Sequence, residues 1–398
     1  MPGAAPAPPA RFADALDAAH EIVIAETGHG DFGPPDYLAG LSVLLASMDY
    51  DPHFTPAGRQ RAWDEVVGVL KGRAQAFAAM KANPGFDAAS IVAPVVITGV
   101  PRTGTTALHR LMALDPRFQG LQSWLLDSPM PRPPVESWAS YPQFQRTVAA
   151  IAARYEGAPE KRAAHFRAAE EVHECCMMLR HCFVSNLWSC GWSAASYDAW
   201  WQCQSEAPAY AYYGQCVKLI GSSSPDRRWL LKNPGHIDTL DLLLAVFPDA
   251  KVIQTHRDPA KAVPSLVSLL MQMHPFTEDA ARGPLRGRIM LRRELAKWAR
   301  AVERCEAVRA HHPGQVLDII HADFHADPMA VIERIYAFIG YDIPEVTRAG
   351  FARRIEEKPE LAHGVHRYRI EDYGMTEAEA REPFADYIRR YDLLEKRA

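Results

Sequence analysis

Pro94-Val95-Val96-Ile97-Thr98-Gly99-Val100-Pro101-Arg102-Thr103-Gly104-Thr105-Thr106-Ala107-Leu108-His109-Arg110-Leu111 carries an apolar β-branched run into a glycine loop and then into a helical pattern. A buried strand that ends in such a loop at a helix N-terminus makes an anion cradle. Free backbone N–H groups and the positive end of the helix dipole converge there. Gly99 and Gly104 let the backbone turn sharply and approach an anion without a Cβ in the way. Thr103 or Thr105 can cap the helix. A nucleotide phosphotransferase would need Lys where Thr105 stands. The only cation inside this loop is Arg102.

Outward from the loop, residues 91–100 read as the first strand, apolar on both faces as a central parallel strand should be. The helix after it ends at Asp115-Pro116. Residues 229–232, 251–255 and 315–320 read as further strands, each entering a helix: 236–247, 259–273 and 327–339. Strands alternating with helices predict a parallel sheet covered on both faces. Residues 11–83 carry apolar stripes at helical spacing, so 1–90 reads as a helical N-terminal cap and 91–398 as an α/β domain. Within the latter, 117–225 is an irregular insertion, with helical patterns at 141–155 and 166–183 and a stiff proline segment at 129–134. Trp188, Trp192, Tyr197, Trp200, Trp201, Tyr210, Tyr212 and Tyr213 crowd its end. These rings suit either the wall of an apolar substrate pocket or core packing, the commoner use. Residues 381–398 form a charged, helical tail.

The chain has 398 residues, is 48% hydrophobic and 23% charged, and carries a formal charge of -4. That balance excludes nucleic-acid binding by bulk electrostatics. No apolar run approaches the roughly 20 residues that span a bilayer. Residues 1–10 lack a basic segment followed by an apolar one, so no signal peptide is expected. Seven cysteines without a Cys-x-x-Cys pair fit reduced thiols in a cytoplasm better than a disulfide framework.

In open parallel sheets ligands sit off the carboxyl ends of the strands. The residues there are Arg102 after the first strand, Lys232 and His236 after the second, and His256, Arg257 and Asp258 after the third. Each has an ordinary alternative: an Arg257–Asp258 ion pair, a solvated Lys232, a helix-start His236. Together, basic groups at three strand ends suit a ligand with two separated anionic groups.

These residues resemble the PAPS-dependent sulfotransferases, in their large bacterial branch, whose fold is P-loop-like and three-layered. Gly99-x-x-Arg102-x-Gly104-Thr105-Thr106 is similar to that family's 5′-phosphosulfate loop. Lys251-Val252-Ile253-x-x-x-Arg257-Asp258-Pro259, with Ser265 eight residues after Arg257, is similar to its 3′-phosphate motif. Trp229-x-Leu231-Lys232-Asn233-Pro234-x-His236 and the tail His366-x-Tyr368-x-x-Glu371-Asp372-x-Gly374 also match the branch. The resemblance runs from about residue 95 to 391. It implies a sulfuryl donor, 3′-phosphoadenosine-5′-phosphosulfate (PAPS), with no metal, and an acceptor hydroxyl on a small, largely apolar molecule such as a phenol, sterol or hydroxylated lipid. Arg102, Thr103, Gly104, Thr105 and Thr106 would hold the phosphosulfate. Arg257 and Ser265 would hold the 3′ phosphate, and His366 and Arg367 would close over it, with His363 a third basic neighbour. Arg102 and Lys232 would stabilise charge on the bridging oxygen.

His236 is the first candidate for the base that takes the acceptor's proton. It lies four residues after Lys232, where the family's base often lies two after. Glu174, in Glu170-Glu171-Val172-His173-Glu174-Cys175, is the second and matches a Glu-Cys pair of the branch; solvated acids on a helix face are the alternative. Relatives carry Trp-Glu where this chain has Trp124-Leu125, and Asp127 lies close by. His173-Glu174-Cys175-Cys176-Met177 misses the zinc-protease pattern because position 177 is Met. His311 and His312 precede a Pro-Gly turn and read as surface residues. The rival functions are a P-loop nucleotide kinase, which the absent loop lysine opposes, and a non-catalytic nucleotide-binding relative. Oligomeric state stays open, a homo-oligomer included.

Overall fold

The computed structural model describes residues 6–88, 90–155, 167–279, 283–357 and 369–394. The predicted parallel sheet is present and has five strands, β1 (Val95–Gly99), β2 (Phe118–Gln119), β3 (Arg228–Lys232), β4 (Lys251–His256) and β5 (Val316–Ile320), in the order β2-β3-β1-β4-β5. Every neighbouring pair is parallel, and β1 lies at the centre with Ile97 opposite Lys232 on one side and Ile253 on the other. The chain therefore reverses its direction of travel across the sheet at β1, where α/β folds open a crevice at the strand ends.

Alternation along β1 divides the core. Val95 and Ile97 face Leu108, Leu111 and Met112 of the loop helix (Thr105–Met112) and Ile332 and Ile335 of the helix Pro328–Ile339. Val96 faces the opposite layer, where the helices Ala207–Gly221, Leu240–Val246, Pro259–Met273 and Gly283–Arg309 bury Tyr213, Leu243, Val263 and Leu295. This is an α/β three-layer fold. The N-terminal helices Leu16–Thr27, Leu38–Tyr50 and Pro56–Ala82 build a further core, with Trp63 and Leu44, against Phe183, Trp188, Trp192, Tyr197 and Trp201.

Several local expectations are corrected. β2 is too short to leave a periodic signal. The first strand starts at Val95, because Pro94 follows Ala93 in a left-handed turn (φ 41°). The expected helix 236–247 is a single turn, Pro234–Ile237, and then Leu240–Val246; the Asn233 side chain caps that turn by accepting from Gly235 N at 3.1 Å. The tail is helical through Arg390, in short pieces at Glu377–Arg381, Glu382–Phe384 and Ala385–Arg390 among the described residues. Most consequential is 166–183, read as a helix. Its described part runs irregularly to Cys175 and becomes helical from there, as a short α-helix at Cys176–Leu179 followed by a 3-10 turn at Arg180–Cys182. Its backbone is taken by neighbours: Val172 bridges Gln122, His173 N donates to Leu121 O at 2.8 Å, and Cys175 N donates to Lys232 O at 2.9 Å.

Candidate functional site

The loop 100–104 leaves β1 through two obligatory glycines. Gly99 has φ 144°, and a Cβ on it would lie 2.5 Å from the Thr255 carbonyl oxygen of β4. Gly104 has φ 92° and is the N-cap of the loop helix, with no side-chain cap bond, so the expected threonine cap is replaced by a glycine one. The orphan N–H groups of that helix start therefore stay turned toward the loop's mouth. Arg102 adopts φ 70°, the left-handed region that favours glycine.

The loop's hydroxyls divide between scaffold and mouth. Thr103 is buried, donates to Val100 O at 2.7 Å and touches the Thr255 hydroxyl at 2.6 Å, so its side chain fastens the loop to β4. Thr105 is buried as well. Thr106 accepts from Lys232 Nζ at 3.1 Å.

On one side of the loop the two predicted anion-binding groups meet. Arg102 Nε donates to Ser265 Oγ at 3.2 Å, and Arg257 Nη1 donates to the Arg102 carbonyl at 2.9 Å. Ser265 is placed by the helix Pro259–Met273, which starts with Pro259 at its first position and Asp258 capping Ala260 N at 3.0 Å. Asp258 is engaged by Arg381 at 2.6 Å rather than by Arg257, so the adjacent-pair alternative for Arg257 does not hold.

On the other side, Lys232 at the end of β3 is 2% exposed and forms an ion pair with the Glu174 carboxylate. The second Glu174 oxygen accepts from Cys176 Sγ at 3.6 Å. Cys176, Leu179, Asn233, Gly235, Trp201 and Trp298 line a narrow cleft directly behind this pair, with Glu206 and Lys297 among its polar groups. Burial pushes Glu206 up to about 7. Glu174 thus stands between the glycine loop and the cleft.

His236 is brought near Glu174 yet is fully enclosed. Its Nδ1 lies 2.5 Å from the Tyr210 hydroxyl, and its Nε2 has no hydrogen-bond partner among the described residues. Burial pushes the imidazole down to about 3, against which the Glu174 charge acts only weakly. His256 is also interior: it bonds Asp318 at 2.9 Å and Tyr387 at 3.1 Å and stacks on Tyr391. Asp127 pairs with Arg167 at 2.9 Å, and Leu125 is fully buried in the core. His363, His366 and Arg367 lie outside the described residues. Of the eight rings between 188 and 213, all but the half-buried Trp200 pack in the core, and only Trp201 reaches the cleft.

A residue beside the loop was not anticipated. His321 follows β5 directly, packs against Gly104, and touches His325 through their Nε2 atoms at 3.0 Å. Burial and then the Arg257 charge push His321 down to about 3. Reading the residue after the fourth sequence-predicted strand, as was done for the other three, would have found it. Among the described residues no group of three or more His, Cys, Asp or Glu side chains is arranged to hold a metal ion.

A parallel sheet with a lysine-free glycine loop at its central strand, Arg257 on one side of that loop and Lys232 on the other defines a P-loop-like group-transfer protein. Residues 94–345 match the model of the sulfotransferase family, and the chain belongs to that family. The sulfotransferase STF1 from Mycobacterium tuberculosis H37Rv is 32% identical, with a TM-score of 0.82 over 93% of this chain and 98% of that one. STF9 from Mycobacterium avium is 25% identical, with a TM-score of 0.85 over 96% and 98%. The curated relative omega-hydroxy-beta-dihydromenaquinone-9 sulfotransferase Stf3, from Mycobacterium bovis and Mycobacterium tuberculosis, is 24% identical over 265 residues; the match spans 62% of this chain and 62% of that protein's length.

Proposed function

We propose that the protein transfers the sulfuryl group of PAPS to a hydroxyl of a small, largely apolar acceptor. The observation that carries this is the junction of Arg102, Arg257 and Ser265, which couples the glycine loop to a second cationic site. A donor with an anionic group at each end needs two such cradles. A tetrahedral anion in the cradle is supported by the loop helix, which presents an N-terminus capped only by Gly104. Arg257 and Ser265 would hold the 3′ phosphate; the loop amides, Arg102 and Thr106 the phosphosulfate. The Thr103, Gly104 and Thr105 contributions would come from the backbone, because both hydroxyl-bearing side chains are buried.

The acceptor would approach the loop from the Glu174 side. Its oxygen attacks sulfur while the bond from sulfur to the bridging phosphate oxygen breaks and the bisphosphate leaves with the electron pair. Lys232 and Arg102 would stabilise the charge gathering on that oxygen. We give the proton to Glu174 rather than to His236. Glu174 lies between loop and cleft, whereas an enclosed imidazole held near 3 with one nitrogen occupied by Tyr210 is a weak base. An apolar hydroxylated acceptor is supported by the Stf3 relative, an omega-hydroxy-beta-dihydromenaquinone-9 sulfotransferase. Seven free cysteines support a cytoplasmic setting.

Transfer of radiolabelled sulfate from PAPS to a panel of phenols, sterols and hydroxylated lipids tests the reading. Turnover that persists in EDTA is expected. Silence across the panel with intact bisphosphate binding would leave a nucleotide-binding protein without transferase activity.

A further inference from the structure

The helix Gly283–Arg309 presents two unlike faces. Its inner face places Lys297, Trp298 and Ala301 in the cleft. Its outer face exposes Leu285 at 68% and Ile289 at 61%, together with Arg288, Arg292 and Arg300. The spacing, Leu285 to Arg288, Ile289 and Arg292, sets these four on one stripe. The other arginines of the same stretch turn inward and are neutralised: Arg286 pairs with Glu278 at 2.6 Å, and Arg293 with Glu294 at 3.2 Å. Arg300 is held by Gln202, so its charge is retained. Arg288 lies along Gly374, and both Arg288 and Arg292 act on the Glu379 carboxylate, itself fixed in a capping box with Thr376. The outer face therefore carries Arg288, Arg292 and Arg300 around two exposed aliphatic side chains, with Glu303 exposed one turn beyond Arg300.

We propose that this stripe docks the protein on an anionic lipid surface. Aliphatic side chains flanked by arginines match the acyl boundary and the phosphate layer of such a surface. A polynucleotide would call for aromatic stacking groups, and the stripe offers Leu285 and Ile289 instead. A second copy meeting this face about a two-fold axis would set arginines against arginines. Docking here puts the lipid about one helix diameter, roughly 10 Å, from the cleft. This surface goes beyond the sulfuryl-transfer reading and does not depend on it.

Sedimentation of the full chain with vesicles tests the proposal. Binding to phosphatidylglycerol-containing vesicles, absent with pure phosphatidylcholine and falling as salt rises, is expected. Arg288→Glu with Arg292→Glu should lower the partition by more than about fivefold per charge. Leu285→Ser with Ile289→Ser should lower it independently. Bisphosphate binding in solution should stay at the wild-type level in both variants, which separates this proposal from the donor assignment. No binding by the wild-type chain, or binding that neither double variant weakens, overturns it. So does stripe-dependent self-association in place of lipid binding.

Discussion

Arg102 Nε lies 3.2 Å from the Ser265 hydroxyl, although the two are 163 residues apart. One belongs to the loop after β1 and the other to the second turn of the helix after β4. Their contact makes a single anion-binding surface of two motifs, and the Arg257 side chain fixes it from below by donating to the Arg102 carbonyl at 2.9 Å. Arg257→Ala should weaken binding of adenosine 3′,5′-bisphosphate by about ten- to a hundredfold, the worth of a charge-assisted hydrogen bond. Ser265→Ala should cost less, roughly two- to tenfold, because it removes a neutral partner. Isothermal calorimetry on both variants gives the comparison.

Gly99→Ala tests the cradle itself. The added methyl would meet the Thr255 carbonyl oxygen at 2.5 Å in a backbone held at φ 144°. Strain and overpacking together should cost about 2–4 kcal/mol and lower the melting temperature, with bisphosphate binding lost in the same variant.

Glu174→Gln removes the group assigned to the acceptor's proton and keeps its shape. Turnover should fall by about a hundred- to ten-thousandfold while bisphosphate binding persists. Because the variant leaves the Lys232 ammonium buried without its carboxylate, it should also melt earlier. His236→Gln should leave turnover within about tenfold of wild type, since neither a buried nor a protonation-resistant imidazole is asked to move a proton. A larger loss for His236→Gln than for Glu174→Gln would reverse the assignment.

Stability should fall on the acid side. His109, His236 and His274 are each held to about 3 by burial, below the ordinary 6.5. Between pH 6.5 and about 3 the unfolded chain binds protons that the folded chain refuses. Stability is therefore fully present above 6.5 and declines as pH falls, by up to about 1.4 kcal/mol per pH unit for each histidine. Thermal melts from pH 8 to 4 should be flat at the alkaline end and drop through the lower range; His274→Gln should make that drop shallower.

Leu125→Glu separates family pattern from local packing. Leu125 and Trp124 are both fully buried. An acid introduced there would enter the apolar core and lower the melting temperature, by about 2 kcal/mol or more, without raising turnover.

The sheet and the cationic strand ends were legible because they obey short-range rules. Val95, Val96 and Ile97 are apolar on both faces, Gly99 and Gly104 punctuate the loop, and Arg102, Lys232 and Arg257 each follow a strand. What sequence could not show is set by pairing between distant segments. Residues 172–175 carry a helix-compatible pattern, but their amides bond the chain at Leu121 and Lys232, and that extended path delivers Glu174 to the ammonium of Lys232. His236 looked like a strand-end base; Tyr210, arriving on a helix 26 residues earlier, encloses it and occupies its Nδ1. Trp188 and Trp192 have the size to line a pocket, and the N-terminal region instead covers them with Trp63 of its third helix and Phe54 of the link before it. His321 was readable and was passed over.

The central claim is a two-ended anion site built on the glycine loop. Calorimetric titration of adenosine 3′,5′-bisphosphate into the full chain, with and without EDTA, tests it most directly. One bound molecule per chain, the same affinity in EDTA, and a loss of at least about tenfold in Arg257→Ala is the predicted result. Absence of binding, or binding that requires a divalent ion and ignores Arg257→Ala, would contradict it.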